Sequence, residues 1–99
     1  MKTITLTGRL TADPEVRAVG DENVKVANFS LANNDSDKSE GEFYEVCCWD
    51  KLADFAEKYL KKGVKIIING TFNNERYTDK EGKPRVRFRI TAYKAEFAE

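Results

Sequence analysis

Residues 43–63 read FYEVCCWDKLADFAEKYLKKG, a strand pattern that passes without a gap into a helix pattern. Side chains alternate between the two faces of a strand, so one face carries Phe43, Glu45, Cys47 and Trp49. Two large aromatic rings exposed on one strand face would form a platform that suits nucleobases. The stretch therefore predicts both an architecture, strand followed directly by helix, and a candidate binding surface.

The helix pattern begins after Asp50, which is the predicted N-cap, and ends at Gly63. Between them, apolar residues recur at helical spacing from Leu52 to Leu60. The remaining strands are predicted by alternation at residues 2–10, 24–32, 64–72 and 84–93. Loops are predicted at residues 11–23, 33–41 and 73–83, the last being a long turn centred on residues 79–82.

Three strands, one helix and two strands form the chain order of an all-β, five-stranded OB-fold barrel with its helix between strands 3 and 4. Ala27, Phe29 and Leu31 are predicted to face inward. On the other strands the apolar residues share one face, namely Ile4 and Leu6, Ile66 and Ile68, and Val86, Phe88 and Ile90. With 99 residues and no linker or repeat, the chain is predicted to be one domain spanning residues 1–99. OB folds usually bind oligonucleotides or oligosaccharides.

Charge is balanced overall but uneven along the chain. Lys+Arg and Asp+Glu both number 17, so bulk charge gives no argument for a nucleic-acid partner. Residues 1–57 carry 6 basic and 12 acidic side chains, whereas residues 58–99 carry 11 basic and 5 acidic ones. A polyanion should therefore be attracted toward elements built from the second half.

Composition argues against an enzyme, a cofactor or a metal site. The sequence has no His, and its two cysteines, Cys47 and Cys48, are adjacent. Neighbours on a strand point to opposite faces, so these two cannot form an ordinary disulfide, and this usage fits a reducing cytosol. Zinc sites and Ser–His–Asp or Cys–His nucleophiles are not available. No apolar run approaches the roughly 20 residues that span a bilayer.

Several blocks of the sequence carry a family resemblance. They are ITLTGRL at 4–10, DPEVR at 13–17, VANFSLA at 26–32, WDKLA at 49–53, YLKKG at 59–63, NG at 69–70 and YTDKEGK at 77–83. In this order they resemble the bacterial-type single-stranded DNA-binding proteins over essentially the whole chain. The resemblance implies sequence-independent binding and protection of single-stranded DNA in replication, recombination or repair, within the cytoplasm and the nucleoid.

The resemblance also implies which residues bind DNA. Base-stacking positions of the family match Phe43, Trp49 and Tyr77, and cationic contacts match Lys51, Lys62, Arg76 and Arg85. Independently of the family, Arg85, Arg87 and Arg89 repeat every second residue, roughly 6.6–6.8 Å apart on a strand. That spacing suits phosphates along a stretched single strand, but it also suits a solubilising outer face.

The chain departs from the family pattern at several places. Glu45 and Glu75 put negative charge near the predicted contacts, and the loop at 33–42 lacks aromatic and basic residues. The chain stops at Glu99, where family members usually continue into a flexible linker with an acidic tip. We therefore expect no tail-mediated recruitment of enzymes. A trimmed chain and a short natural form, of host, phage or plasmid origin, both remain open.

Two other functions remain open from the sequence. One is an OB-fold adaptor of the primosome type that acts mainly through protein contacts. The other is an OB module that binds RNA or oligosaccharide. The resemblance further implies a homo-oligomer, a tetramer or a dimer, in which first strands pair through the face of Thr3, Thr5 and Thr7.

Overall fold

The computed structural model describes residues 2–33 and 42–98. Within them lie six strands and one helix, and the chain order is β1 Thr3–Leu10, β2 Glu15–Val19, β3 Val24–Asn33, β4 Glu42–Trp49, α1 Lys51–Tyr59, β5 Lys65–Thr78 and β6 Pro84–Phe97. The strand predicted in the opening stretch is β4, and it ends at Trp49 as the sequence indicates.

Five of the strands close into a barrel. The order β1–β5–β6–β4–β3 returns to β1 through the pairs Arg9–Ala32 and Leu10–Leu31. All neighbours in this ring are antiparallel except β4 and β6, which run parallel from the pair Glu45–Arg89 to the pair Cys47–Thr91. This closure, with one helix between β4 and β5, confirms the predicted OB-fold barrel.

The prediction of a loop over residues 11–23 is wrong for β2. This strand forms a hairpin with β3, from the pair Glu15–Asn28 to the pair Val19–Val24. The turn between them uses positive φ at Gly20 (75°) and Asn23 (52°), a conformation open to glycine and tolerated by asparagine. β2 occupies the edge of β3 that β1 leaves uncovered, so it adds a sixth strand to a barrel that five strands close.

The prediction of a long turn over residues 73–83 is also wrong. Pairing of β5 with β6 continues outward to the pair Thr78–Pro84, so only residues 79–83 form the turn. Since β4 pairs with β6 only from Arg89 onward, residues 73–88 form a two-stranded arm. Asp79 closes the arm, because its Oδ1 accepts hydrogen bonds from the backbone N–H groups of Glu81 and Lys83, each at 2.9 Å.

The core follows the predicted alternation within the barrel but not in the arm. Leu6, Leu31, Ile66, Ile68 and Ile90 are buried. In contrast, Val86 and Phe88, which share the apolar face of the last predicted strand with Ile90, are about half exposed because they lie on the arm beyond the barrel. Backbones approach so closely at β1 and β3 that a Cβ on Gly8 would lie 2.8 Å from the carbonyl oxygen of Ala32. Glycine is therefore required there.

A single residue, Asp50, separates the end of β4 from the start of α1. Asp50 occupies the N-cap position with φ 58°, and its side chain makes no capping hydrogen bond, so this part of the N-cap prediction is wrong. Instead, its backbone N–H donates to the carbonyl of Lys25 at 2.8 Å. The Lys25 ammonium also lies 2.7 Å from carboxylate oxygens of Asp54 and Glu57, which ties α1 to β3. No helix among residues 2–33 and 42–98 is long and apolar enough to cross a membrane.

Both cysteines are free, as expected from their adjacency, and both are buried. Burial raises the pKa of the Cys48 thiol to about 12, and the neighbouring Cys47 adds to this shift. A thiol with such a pKa stays protonated near neutral pH, and only a thiolate is a strong nucleophile or metal ligand. Cys48 therefore contributes to packing.

Candidate nucleic-acid interface

The outer face of β4 carries the two aromatic residues singled out from the sequence. Phe43 is 70% exposed and Trp49 is 48% exposed, with Glu45 exposed between them. Aromatic rings of this size usually bury themselves, so exposure of both on one strand face points to a binding surface. The structure thus presents the predicted platform to solvent.

Trp49 is half buried because it lies on a small apolar patch outside the main core. Val26, its register partner on β3, and Cys47, two residues earlier on β4, are both buried but do not belong to the core cluster. Burial raises the pKa of the Cys47 thiol, and the charge of Arg89, a hydrogen bond with the Trp49 side chain and the charge of Arg17 oppose this shift only in part. Trp49 is therefore seated on the protein on one side and open to solvent on the other.

The arm continues the outer face of β4. Glu45 lies beside Arg89 in the parallel register, and the residues of β6 that share the face of Arg89 are Arg87 and Arg85. On β5, Asn73 is the register partner of Arg89, Glu75 that of Arg87 and Tyr77 that of Arg85. Tyr77, which is 43% exposed, and the three arginines therefore belong to the same face as Phe43 and Trp49.

Arg85, Arg87 and Arg89 form what we call the arginine ladder, and each of them already has a carboxylate partner. Arg85 Nε lies 3.0 Å from Asp79 Oδ2, and Arg87 Nε lies 3.7 Å from Glu45 Oε2. Arg89 lies between two carboxylates, 3.9 Å from Glu45 and 3.7 Å from Glu75. A phosphate that approaches the ladder has to compete with these internal anions, so the ladder attracts DNA less strongly than its spacing alone suggests.

Arg85 in particular has a structural role. Hydrogen bonds from the Lys83 backbone N–H and then from the Arg85 side chain hold the pKa of Asp79 below its ordinary value. Arg85 thus helps to fix the turn at the end of the arm. Arg87 has a second contact as well, since its guanidinium carbon lies 4.9 Å from the centroid of the Tyr77 ring. This cation–π contact supports one side of the ring and leaves Tyr77 partly open to solvent.

The other three predicted cations lie apart from the ladder. Lys51 is the first residue of α1, two residues after Trp49, and Lys62 follows the helix, where its backbone N–H donates to Asp13 Oδ1 at 2.8 Å. Arg76 lies on the opposite face of the arm, in register with Val86. All three are exposed, and none forms an ion pair within the part of the chain that the structure describes.

A groove of about 530 Å³ extends from this surface toward β2, and its lining includes Asp13, Glu15, Arg17, Asn28, Ser30, Glu45 and Arg89. Arg17 is a candidate contact outside the predicted set, because the sequence predicts a loop over residues 11–23 and the residue lies instead on β2. The signal was present in the alternation of EVRAV at 15–19, followed by a glycine-containing turn and a second strand. The Arg17 charge lies close enough to Cys47 to affect its pKa.

Exposed aromatic rings, cations on the same face and an OB-fold barrel define the class of a nucleic-acid-binding domain. The comparison with known families is more specific. Residues 1–98 match the sequence profile described as the single-strand binding protein family. The chain therefore belongs to that family.

Similar proteins carry the same description. A single-stranded DNA-binding protein of Bifidobacterium longum is 34% identical over 83% of this chain and 41% of its own length. Single-stranded DNA-binding protein 3 of Clostridium acetobutylicum is 32% identical over 100% of this chain and 72% of its own length. A single-stranded DNA-binding protein of Fusobacterium nucleatum is 31% identical over 100% of this chain and 68% of its own length. The chain thus spans less than half of the first relative and about seven tenths of the other two.

Proposed function

We propose that this protein binds and protects single-stranded DNA without sequence preference, as a non-enzymatic participant in replication, recombination or repair. The observation that carries the proposal is the exposure of Phe43 and Trp49 on one face of β4, in a chain of the single-strand binding protein family. Single-stranded DNA as the partner and the two free thiols fit a cytoplasmic, nucleoid-associated location.

In the proposed mechanism, bases stack on Phe43, Trp49 and Tyr77. Stacking contributes about 1–3 kcal/mol per base and tolerates any sequence, because every base has a π-face. Lys51 supplies a contact to phosphate near Trp49, Lys62 supplies one beside Asp13 at the other end of α1, and Arg17 supplies one across the groove. Arg85, Arg87 and Arg89 contribute only when phosphates displace Asp79, Glu45 and Glu75, so stacking provides most of the affinity.

The proposal predicts a strong preference for unpaired DNA. Stacking requires a free base face, and a domain with 17 charges of each sign offers no general attraction to a duplex. Titration with poly(dT) should change the fluorescence of Trp49, the only tryptophan in the sequence, and binding should weaken as salt rises. A duplex of equal length should bind more weakly. Equal affinity for duplex would overturn the proposal, and equal affinity for single-stranded RNA would show that its restriction to DNA is wrong.

We further propose that the protein forms a homodimer or homotetramer through β1. On one side β1 pairs with β5 from Thr3 to Arg9, but on the other side only Arg9 and Leu10 pair with β3. The edge from Thr3 to Gly8 therefore has no strand neighbour within the described residues. Open edges pair readily with another strand, and a two-fold axis would match an antiparallel copy of β1.

Sedimentation equilibrium tests this assembly. At micromolar concentration we expect species of about twice or four times the 11.3 kDa chain mass. Detection of only the 11.3 kDa species over this concentration range would contradict the proposed oligomer.

A further inference from the structure

A break in the regular pairing of β5 with β6 sets Tyr93 apart from its neighbours. Gly70 pairs with Ala92 and the adjacent Asn69 pairs with Lys94, so Tyr93 is an extra residue on β6 without a partner on β5. Gly70 permits this bulge, because a Cβ there would lie 2.5 Å from the carbonyl oxygen of Thr91. Bulges commonly serve to redirect a side chain.

The bulge changes which side chains face outward. Ala92 is buried and Ala95 packs against the core, whereas the two residues between them, Tyr93 and Lys94, are both exposed. In a regular strand only one of two consecutive residues would face solvent. The extra residue therefore places an aromatic ring and an ammonium group side by side on the outer surface, with the Tyr93 side chain 63% exposed.

Tyr93 also lies at the Trp49 end of the binding face. The last pair of the parallel β4–β6 ladder joins Cys47 to Thr91. Trp49 and Tyr93 each lie two residues beyond that pair. Because β4 and β6 run in the same direction, both residues lie at the same end of the β4–β6 pairing, which we call the β4–β6 seam, and on its outer side. Lys51 lies two residues after Trp49 and Lys94 lies directly after Tyr93, so each ring has a cation close by in the chain.

Tyr93 differs in its environment from Tyr59, another exposed tyrosine. The Tyr59 ring lies 5.5 Å from that of Phe55, which itself contacts Phe97 at 5.7 Å. Tyr93 contacts no other aromatic ring within residues 2–33 and 42–98. The carboxylate paired with Lys94 is that of Glu96, at 3.9 Å between two exposed groups, a distance at which an ion pair is weak.

We propose that Tyr93 is a further base-stacking residue, and that Lys94 contacts the phosphate of the same nucleotide. This inference rests on the proposed binding of single-stranded DNA, and it extends the path of the strand across the β4–β6 seam, from Trp49 to Tyr93. An exposed ring on a rigid strand loses little entropy when a base stacks on it. The bulge therefore lengthens the aromatic platform at an end where fewer carboxylates oppose phosphate than in the arm.

Photocrosslinking provides a direct test with the wild-type protein. An oligonucleotide containing 5-iododeoxyuridine crosslinks to aromatic side chains that contact the modified base. Trypsin should release residues 90–94, ITAYK, after Arg89 and Lys94, and Tyr93 is the only aromatic residue in that peptide. We expect this peptide to carry the nucleotide adduct, alongside the peptide containing Trp49. A crosslink to the Trp49 peptide without one to residues 90–94 would overturn the inference but leave the proposed function intact.

Substitutions test the contribution to affinity. Tyr93→Ala should weaken binding of poly(dT) by about 5- to 150-fold with an unchanged salt slope, whereas Tyr93→Phe should stay near wild type because the ring is retained. Tyr59→Ala is the matched control and should leave affinity unchanged. If Tyr93→Ala instead alters the sedimentation profile while affinity per protomer is unchanged, Tyr93 serves an interface between copies and the inference is wrong. Failure of the wild-type protein to bind at all would contradict the proposed function itself.

Discussion

Replacing Trp49 with alanine should weaken binding to an unstructured oligonucleotide by about 1–3 kcal/mol, the usual contribution of one stacked base. Trp49 is held on Val26 and Cys47 on one side and is open to solvent on the other, so its ring is already ordered before DNA arrives. The slope of log affinity against log salt should stay unchanged, because no phosphate contact is removed. The variant has no tryptophan, so the measurement is fluorescence anisotropy of a labelled oligonucleotide.

A loss of stacking has to be separated from a loss of structure in this variant. Trp49→Ala also removes the ring beside Val26, its register partner on β3, and this lowers the free energy of unfolding independently of DNA. Trp49→Phe keeps an aromatic ring at the position and should recover much of the lost affinity. An unchanged thermal midpoint and sedimentation profile would assign the Ala effect to stacking. Wild-type affinity in a folded Trp49→Ala protein would show that the strand does not cross this end of β4.

The barrel could be predicted from the sequence because its signals are local. Alternation of Ile4, Leu6 and Leu10, or of Ala27, Phe29 and Leu31, reports which side of a strand meets the core. The direct passage from Trp49 into α1 is likewise visible in consecutive residues. These local signals fix the number and order of the barrel strands, and a closed OB-fold barrel follows from that order.

The arm and the bulge depend on the pairing of β5 with β6, which neither strand shows alone, whereas β2 does carry a local signal in the alternation of residues 15–19. Residues 73–78 are polar and carry no core-facing pattern, so only their pairing with β6 makes them a strand. For the same reason, Tyr93 appeared as one of several outward residues, since the register shift beside Gly70 is set by two strands together. Neither feature has a signature within a single short window.

The electrostatic state of the predicted site was the hardest property to foresee. The spacing of Arg85, Arg87 and Arg89 suggests a row of cations for phosphates, and the three residues do share one face of β6. However, Glu45 comes from another strand and Glu75 from across the hairpin, so their ion pairs with the ladder depend on the closed barrel. Arg85, which combined the spacing with the family match, is engaged with Asp79 at 3.0 Å. The roles of all nine predicted residues in binding DNA stay predictions.

The ion pairs of the ladder lead to an expected gain of function. In the double variant Glu45→Gln, Glu75→Gln, Arg87 and Arg89 lose their carboxylate partners and become available to phosphates. Each additional phosphate contact steepens the log–log salt slope for single strands by roughly 0.7, so the double variant should be steeper by about 1.4. At low salt its affinity should rise by about 1–2 kcal/mol, since exposed ion pairs of this kind contribute up to about 1 kcal/mol each.

The matched control is the double variant Asp21→Asn, Glu22→Gln. Both residues are exposed in the turn between β2 and β3, and the change in net charge is the same. If competition of Glu45 and Glu75 with phosphate is the cause, the control should bind DNA as the wild-type protein does. The gain in affinity of Glu45→Gln, Glu75→Gln should then shrink as salt rises, because phosphate contacts are screened. Equal gains in both double variants would instead attribute the effect to net charge. An unaltered slope in Glu45→Gln, Glu75→Gln would mean that DNA avoids the arm and follows Lys51, Lys62 and Arg17, whose positions lie along the groove and the Trp49 end of β4.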